Sequence, residues 1–238
     1  MQQLRKVKSK GAIHLTEENN RIVYNEVVSY IRGLMPQRSP YFQELEAYAE
    51  EFHVPIVQPE VAQLIQTLIH LHKPKRVLEI GTAIGYSASI MAEAMGIGEV
   101  VSIEIRESSH LKAKENVKKY DTKVNFDFRL GDALEVLPQI DGKFDIIFID
   151  ASKGHYLEFL ELSLSKLNPG GLIISDNILY KGMIANPEWV EKRKKTIVKR
   201  MKNFLVALTA IETLHTSIIP IGDGVALSYN IGGKDETN

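Results

Sequence analysis

The sequence contains no cysteine among its 238 residues. This absence excludes thiol nucleophiles, disulfides and thiolate metal sites, and it fits a reducing compartment. No apolar run approaches the roughly 20 residues of a membrane-spanning helix. We therefore expect a cytoplasmic protein with no membrane partner. The formal net charge of −1 gives no overall sign of a strongly basic nucleic-acid-binding protein.

Several common catalytic patterns are also missing. The seven histidines include no pair at the spacing of a zinc site, and no serine occupies a nucleophile elbow. Gly81 and Gly85 form G-x-x-x-G, which differs from the G-x-G-x-x-G of dinucleotide enzymes. The sequence also has no G-x-x-x-x-G-K-[ST], so a phosphate-cradling loop is unsupported.

Apolar residues make up 44% of the chain, and this length and content fit one large domain with a full core. Residues 1–15 are interpreted as a basic N-terminal tail and residues 16–238 as a single domain. Its first part, residues 16–72, has the apolar spacing of helices. The first helix is expected to begin near Thr16 and to stop at Gly33.

From residue 75 onward, short apolar runs alternate with helical stretches, which predicts an α/β fold with a parallel sheet covered on both faces. A long amphipathic helix is predicted over Pro187–Ile211. The tight link Gly222–Gly224 then predicts a hairpin, so the last strand should run antiparallel. The five apolar runs are Arg76–Ile80, Val100–Ile105, Val124–Leu130, Phe144–Ile149 and Leu172–Ser175.

The first glycine loop has the arrangement of a nucleoside site: strand, glycine turn, helix. Glu79 and Gly81 surround the turn, Glu104 ends the next predicted strand, and Asp132 follows the third. Glu104 could accept hydrogen bonds from both hydroxyls of a ribose. The local negative charge would repel a pyrophosphate but tolerate a sulfonium cation. The alternative is that the glycines only permit a tight turn and the acids are solvated.

A second polar group follows two later strands. Asp150 ends one, and Asp176 with Asn177 ends the next. Two carboxylates and an amide oxygen are hard ligands, and three protein oxygens would leave about three positions of an octahedron for substrate and water, which favours Mg²⁺. Alternatively, Asp150 only binds a cofactor and Asp176 only caps a turn.

Lys153 lies one loop turn beyond Asp150. Beside a divalent cation it could take a proton from a hydroxyl that the cation acidifies, so it is a candidate general base. A surface charge, or a partner to Asp150, is the alternative role.

Taken together, these motifs resemble the class I O-methyltransferases that depend on S-adenosylmethionine (SAM), in the metal-dependent branch of catechol and caffeoyl-CoA methyltransferases. The resemblance covers roughly residues 40–231 and implies a Rossmann-like, seven-stranded, mostly parallel sheet, and often a homodimer. It implies catalytic roles for Lys153 and Asp150, with a metal site at Asp150, Asp176 and Asn177. The implied cofactor contacts are Val57, Glu79, Gly81, Ser87, Glu104, Asp132, Ala133 and Asp150.

Within that branch, several segments resemble the bacterial tRNA 5-hydroxyuridine methyltransferases, among them Tyr180–Gly182 and Ile219–Gly224. This resemblance implies methylation of a hydroxyl on the wobble uridine in a tRNA anticodon loop, giving 5-methoxyuridine. RNA would need a basic rim, for which the candidates are Arg32, Arg38, Lys181 and Arg193. Two alternatives remain: a small catechol or caffeoyl-CoA-like phenol as the substrate, or a non-catalytic binding module.

Overall fold

A computed structural model describes residues 22–232. Three helices come first: α1 (Asn25–Leu34), α2 (Pro40–Glu51) and α3 (Pro59–His72). The predicted tail and the predicted helix start at Thr16 lie outside the described residues. The sequence predicts that Gly33 stops α1, but Gly33 lies in the last turn of that helix. The helix ends at Leu34 because Met35, which precedes a proline, adopts extended backbone.

Strands and helices then alternate, as predicted for an α/β fold. Their bounds are β1 (Arg76–Ile80), α4 (Tyr86–Met95), β2 (Ile97–Glu104), α5 (Glu107–Val117), β3 (Lys123–Leu130), α6 (Ala133–Val136), β4 (Phe144–Ile149), α7 (Tyr156–Lys166), β5 (Leu167–Ser175), α8 (Lys195–Ala210), β6 (Leu214–Ile219) and β7 (Val225–Asn230).

The prediction of one helix over Pro187–Ile211 is wrong in its first part. That part forms two one-turn 3-10 helices, Pro187–Trp189 and Lys192–Lys194, before α8 begins. Val190 and Glu191 have extended backbone between them.

The seven strands form one sheet in the order β3-β2-β1-β4-β5-β7-β6. Neighbours among β1 to β5 are parallel, whereas β7 is antiparallel to both β5 and β6. The predicted sheet and its antiparallel last strand are therefore confirmed. The register pairs Ile80 with Ile149, and Ile149 with Ser175. The carboxyl ends of β1, β4 and β5 are thus level with one another.

Buried apolar side chains cover both faces of the sheet. Phe148 of β4 packs on the face that α3 and α4 cover, and the adjacent Ile147 packs on the face that α7 and α8 cover. Burying a side chain of this size contributes roughly 1.5–3 kcal/mol. Within residues 22–232, no helix is both long enough and apolar enough to cross a membrane.

Candidate active site

The loops that follow β1 and β4 touch each other through their backbones. The amide of Asp150 donates to the carbonyl of Ile80 at 3.0 Å, and Gly81 has a φ of +105°. A Cβ at Gly81 would collide with the carbonyl oxygen of Asp150. Gly81 is therefore required by the protein's own packing, in addition to any approach of a cofactor.

Glu79 lies at the centre of the first half of the site and is fully buried. Its two carboxyl oxygens accept hydrogen bonds from the hydroxyls of Ser87 and Ser102. Thr82 and Ser102 also share a hydrogen bond between their hydroxyls, at 2.5 Å. Burial raises the pKa of Glu79 to about 8, and the serine hydrogen bonds offset only part of that effect.

Glu104 connects the glycine loop to the end of β2. One carboxyl oxygen accepts from the amide of Ala83 and the other from the amide of Arg106, both at 2.8 Å. Ala83 has a φ of +46°, so this hydrogen bond holds a residue in an uncommon conformation. The carboxylate thus shapes the loop in which the nucleoside was predicted to lie, and its ribose contact stays a prediction.

The other predicted cofactor residues have clear structural roles. Asp132 caps α6, since its side chain accepts from the amide of Leu134 at 2.9 Å. Ala133 and Val57 are buried, and Val57 belongs to the core on the side of α3. Their contacts with a cofactor stay predictions.

Asp150 and Asp176 bring two carboxyls together at the ends of β4 and β5. Asp176 is 1% exposed. Asp150 as a whole is partly exposed, but its carboxyl is surrounded by protein. Burial raises the pKa of both carboxyls, and that of Asp176 rises well above its ordinary value because the charge of Asp150 adds to the effect of burial.

Lys153 and Asn177 face each other beside this pair. The side-chain amino group of Lys153 donates to the side-chain amide oxygen of Asn177 at 3.0 Å, and the backbone amide of Asn177 donates to the carboxyl of Asp176 at 2.7 Å. Asn177 has a φ of +56°, which asparagine tolerates better than most residues. The four residues predicted to form the metal and proton-transfer site are therefore in one place.

Asp223 is a further acid of this site that the sequence interpretation treated only as part of a turn. It lies between β6 and β7, and its carboxyl accepts from the amide of Lys181. Burial raises its pKa to about 6, against the opposing effects of the Lys181 amide and the charge of Lys153. The sequence carried no signal for this role, because aspartate before glycine is also an ordinary residue pair of a hairpin turn.

The donor set fits a hard cation. In the described part of the chain, no three or more histidine or acidic side chains are arranged to hold a metal ion. The predicted set is different, because it combines two carboxyls with one amide oxygen. Two crowded, buried carboxyls with raised pKa values are costly to ionise unless a cation lies between them. Asp150, Asp176 and Asn177 could hold such an ion.

This geometry agrees with what comparison with known proteins finds. Residues 36–231 match the family model described as O-methyltransferase. The chain belongs to the O-methyltransferase family.

Individual relatives of this O-methyltransferase cover most of its length. It is 28% identical to a catechol O-methyltransferase of Niastella koreensis over 88% of this chain and 98% of the relative. It is 30% identical to a caffeoyl-CoA O-methyltransferase of Petroselinum crispum over 82% of this chain and 88% of the relative. Among solved structures, the O-methyltransferase TomG of Streptomyces achromogenes in complex with SAM is 25% identical, covering 91% of this chain and 100% of that one, with a TM-score of 0.78.

Two of the arginines predicted to contact RNA pair within the O-methyltransferase itself. Arg32 donates to both carboxyl oxygens of Glu60, at 2.8 and 3.1 Å, and so ties α1 to α3. Arg38 donates to the side-chain carbonyl of Gln66 at 2.8 Å. Both guanidinium groups therefore make contacts within the protein, and Glu60 also offsets the positive charge of Arg32.

The other two lie nearer to the surface. Arg193 is 82% exposed and donates to Glu191 at 3.0 Å, and Lys181 is exposed beside Asp223. RNA contact by any of the four stays a prediction.

Proposed function

We propose that this O-methyltransferase uses SAM and a hard divalent cation, Mg²⁺ first among the candidates, to methylate the 5-hydroxyl of a 5-hydroxyuridine at the wobble position of tRNA. The observation that carries the chemistry is the grouping of Lys153, Asp150, Asp176 and Asn177 at one sheet edge. The SAM complex of the similar TomG structure supports the choice of methyl donor.

The chain's residues divide the work between two neighbouring halves. The glycine loop, whose shape Glu104 fixes, is the proposed binding site of the adenosyl group of SAM. Glu79 and Ser87 would face the methionine end of SAM. Lys153 would take the proton of the acceptor hydroxyl. A bound divalent cation would supply Lewis-acid stabilisation of the oxygen that loses this proton.

The tRNA substrate is supported by the resemblance of the segments Tyr180–Gly182 and Ile219–Gly224 to the tRNA 5-hydroxyuridine methyltransferases. Both segments lie beside the metal half of the site. The backbone amides of Ile178 and Leu179, which directly precede the first segment, donate to the carbonyls of Gly224 and Asp223 at 3.0 and 2.9 Å. The amide of Lys181 donates to the carboxyl of Asp223, so the two segments form one rim. The 5-hydroxyl and 4-carbonyl of the modified uridine are adjacent oxygens, as in a catechol, and both could reach one cation.

A small phenol is the second candidate substrate. The similarity to the catechol and caffeoyl-CoA O-methyltransferases named above favours it specifically. A phenol would need an apolar slot, whereas an anticodon loop would need cations around the rim. Arg193 and its basic neighbours at residues 192–195 offer such cations.

Nucleoside mass spectrometry distinguishes these substrates. tRNA from cells that lack the gene should contain 5-hydroxyuridine in place of 5-methoxyuridine, and wild-type protein should restore the methyl group whereas a Lys153→Ala protein should not. In parallel, the purified protein should methylate that tRNA faster than catechol or caffeoyl-CoA. If the amount of 5-methoxyuridine in tRNA from those cells is undiminished, and no redundant enzyme is present, the tRNA assignment is wrong.

The protein is also proposed to act as a homodimer. Besides the resemblance, the support is a row of exposed apolar side chains on and just before α1, namely Tyr24, Val27, Tyr30 and Leu34. Light scattering on the purified protein should give twice the mass of one chain. A Tyr30→Glu variant should shift that mass towards the monomer.

A further inference from the structure

Tyr156 is a buried tyrosine directly behind the two carboxyls, and the proposed chemistry gives it no part. It begins α7, just after the loop that carries Lys153, and it is 1% exposed. Its ring packs edge-on against Phe204 of α8, with the ring centres 5.3 Å apart. The side chain is thus held in the core while its hydroxyl points back towards the sheet edge.

The hydroxyl lies between the ends of two adjacent strands. It donates to the backbone carbonyl of Asp176 at 2.9 Å, and the carbonyl of Ile149 is 3.4 Å away. Ile149 immediately precedes Asp150, so each carbonyl belongs to, or adjoins, a residue that supplies a carboxyl. One proton cannot serve both carbonyls fully, and the shorter distance marks Asp176 as the principal partner.

The hydroxyl adds to a hydrogen bond that the backbone already makes there. The amide of Asp176 donates to the carbonyl of Ile149 at 3.0 Å, which is the last link between the ends of β4 and β5. Beyond it the strands separate, and Asn177 turns away with positive φ. The link from Tyr156 therefore holds the chain at the point where sheet pairing stops.

This position matters because the two carboxyls repel each other once ionised. A phenol hydroxyl is a hydrogen-bond donor, and its position here directs the proton to the carbonyl of Asp176. Donation to the carbonyl of Asp176 resists movement of that residue away from β4.

We propose that Tyr156 is a positioning residue whose hydroxyl fixes the carbonyl of Asp176, and thereby the spacing of the Asp150 and Asp176 carboxyls that a divalent cation requires. The inference rests on the proposed metal site and adds a residue to it. Groups that orient metal ligands from behind typically change metal affinity by 10–100-fold when they are lost.

The test is Tyr156→Phe in the full-length protein, since phenylalanine keeps the ring against Phe204 and removes only the hydroxyl. Binding of Mn²⁺ alone is measured by calorimetry and by electron paramagnetic resonance, without cofactor or substrate. We expect about 10-fold weaker Mn²⁺ binding. At low Mn²⁺, kcat should fall while KM for SAM stays unchanged, and excess Mn²⁺ should restore kcat.

Tyr41→Phe is the matched control. The Tyr41 hydroxyl shares a hydrogen bond of 2.9 Å with the hydroxyl of Ser89, on the α2 side of the molecule, so this variant also loses an internal hydrogen bond. It should bind Mn²⁺ as wild type does. If both variants lost affinity equally, Tyr156 would have a merely structural role and the inference would be wrong.

Failure of the inference can be told apart from failure of the proposed function. Tight Mn²⁺ binding by wild type and an equally tight Tyr156→Phe protein would overturn the inference alone. A wild-type protein that binds no Mn²⁺, yet methylates its substrate, would overturn the metal site and the inference with it. Circular dichroism on each variant ensures that only folded protein is compared.

Discussion

The two halves of the sheet edge handle buried acids in different ways. In the cofactor half, at the ends of β1 and β2, Glu79 and Glu104 accept hydrogen bonds from serine hydroxyls and backbone amides of the same chain. In the metal half, at β4, β5 and the turn before β7, burial and the charge of Asp150 raise the pKa of both Asp176 and Asp223. The first half is organised by the protein itself, whereas the second is crowded with negative charge.

This difference indicates what each half is ready to bind. Donors that are already in place fix the shape of the cofactor half before a ligand arrives, which lowers the cost of ordering it on binding. Carboxyls whose charge Lys153 offsets only in part make the metal half unfavourable by itself and favourable around a cation. A ligand that binds in the metal half should therefore change the free energy of unfolding more than one that binds in the cofactor half.

Removal of the proposed base should have the largest effect. Lys153→Ala should lower kcat about 10²–10⁴-fold, because the variant lacks the proposed acceptor of the hydroxyl proton. Binding of SAM in the other half should be unchanged. Single-turnover kinetics and calorimetry measure the two quantities, with Lys199→Ala on the exposed face of α8 as the control. Unchanged turnover in Lys153→Ala would exclude the base role.

Gly81→Ala should break the contact between the two halves. The added Cβ meets the carbonyl of Asp150, and the φ of +105° is unfavourable for alanine. Denaturant unfolding should show a loss of at least about 2 kcal/mol in the free energy of unfolding. Gly33→Ala is the matched control, since its Cβ would meet nothing within 4 Å and the position is helical. That change should stabilise the protein by about 0.5–1 kcal/mol.

Addition of a divalent cation should stabilise the protein through the metal half alone. At 100 times the dissociation constant, Mn²⁺ should add about 2.7 kcal/mol to the free energy of unfolding. Asp176→Asn should abolish this gain, whereas Glu79→Gln should keep it. Thermal unfolding with and without chelator measures the gain. Equal gains in all three proteins would mean that the cation binds elsewhere.

Titration of Glu79, which lies in the cofactor half, should make the free energy of unfolding depend on pH. Its pKa is about 8 when folded and near the ordinary 4.5 when unfolded, so the folded state binds more protons between these values. Its contribution to stability is therefore greatest below about pH 4.5 and falls by about 1.4 kcal/mol for each unit up to about pH 8.

Urea unfolding across that range should show a shallower pH profile for Glu79→Gln than for wild type. The glutamine can still pair with Ser87 and Ser102. Glu51→Gln, at an exposed position at the end of α2, should leave the profile unchanged. Parallel profiles for wild type and Glu79→Gln would contradict the raised pKa.

The smallest effect is expected at the rim. Arg193→Ala should weaken tRNA binding about two- to three-fold and reduce the dependence of affinity on salt by about one phosphate contact. Lys123→Ala, at the opposite end of the sheet, should change neither quantity. Filter binding at several salt concentrations measures both. If Arg193→Ala binds tRNA as wild type does, the phosphate-binding surface does not include Arg193.

Residues next to strand ends could be predicted because their positions follow from local pattern. Asp150 and Asp176 directly follow apolar runs, and parallel strands place such residues at one edge. The partners of Arg32 and Arg38 could not be predicted. Glu60 and Gln66 lie on α3, more than 25 positions away along the chain, and only the packing of α1 and of the segment before α2 against α3 brings them close. The role of Asp223 depends likewise on the turn reaching Lys181.

The sequence by itself determined the alternating α/β pattern, the antiparallel last strand and the acids at the ends of successive strands, because apolar periodicity and turn residues act over short distances. Only the tertiary structure decided the order of the strands and the burial of each carboxyl. These depend on long-range packing, which sets the distance between Asp150 and Asp176, places Tyr156 behind them, and removes the water that would otherwise keep their pKa values ordinary.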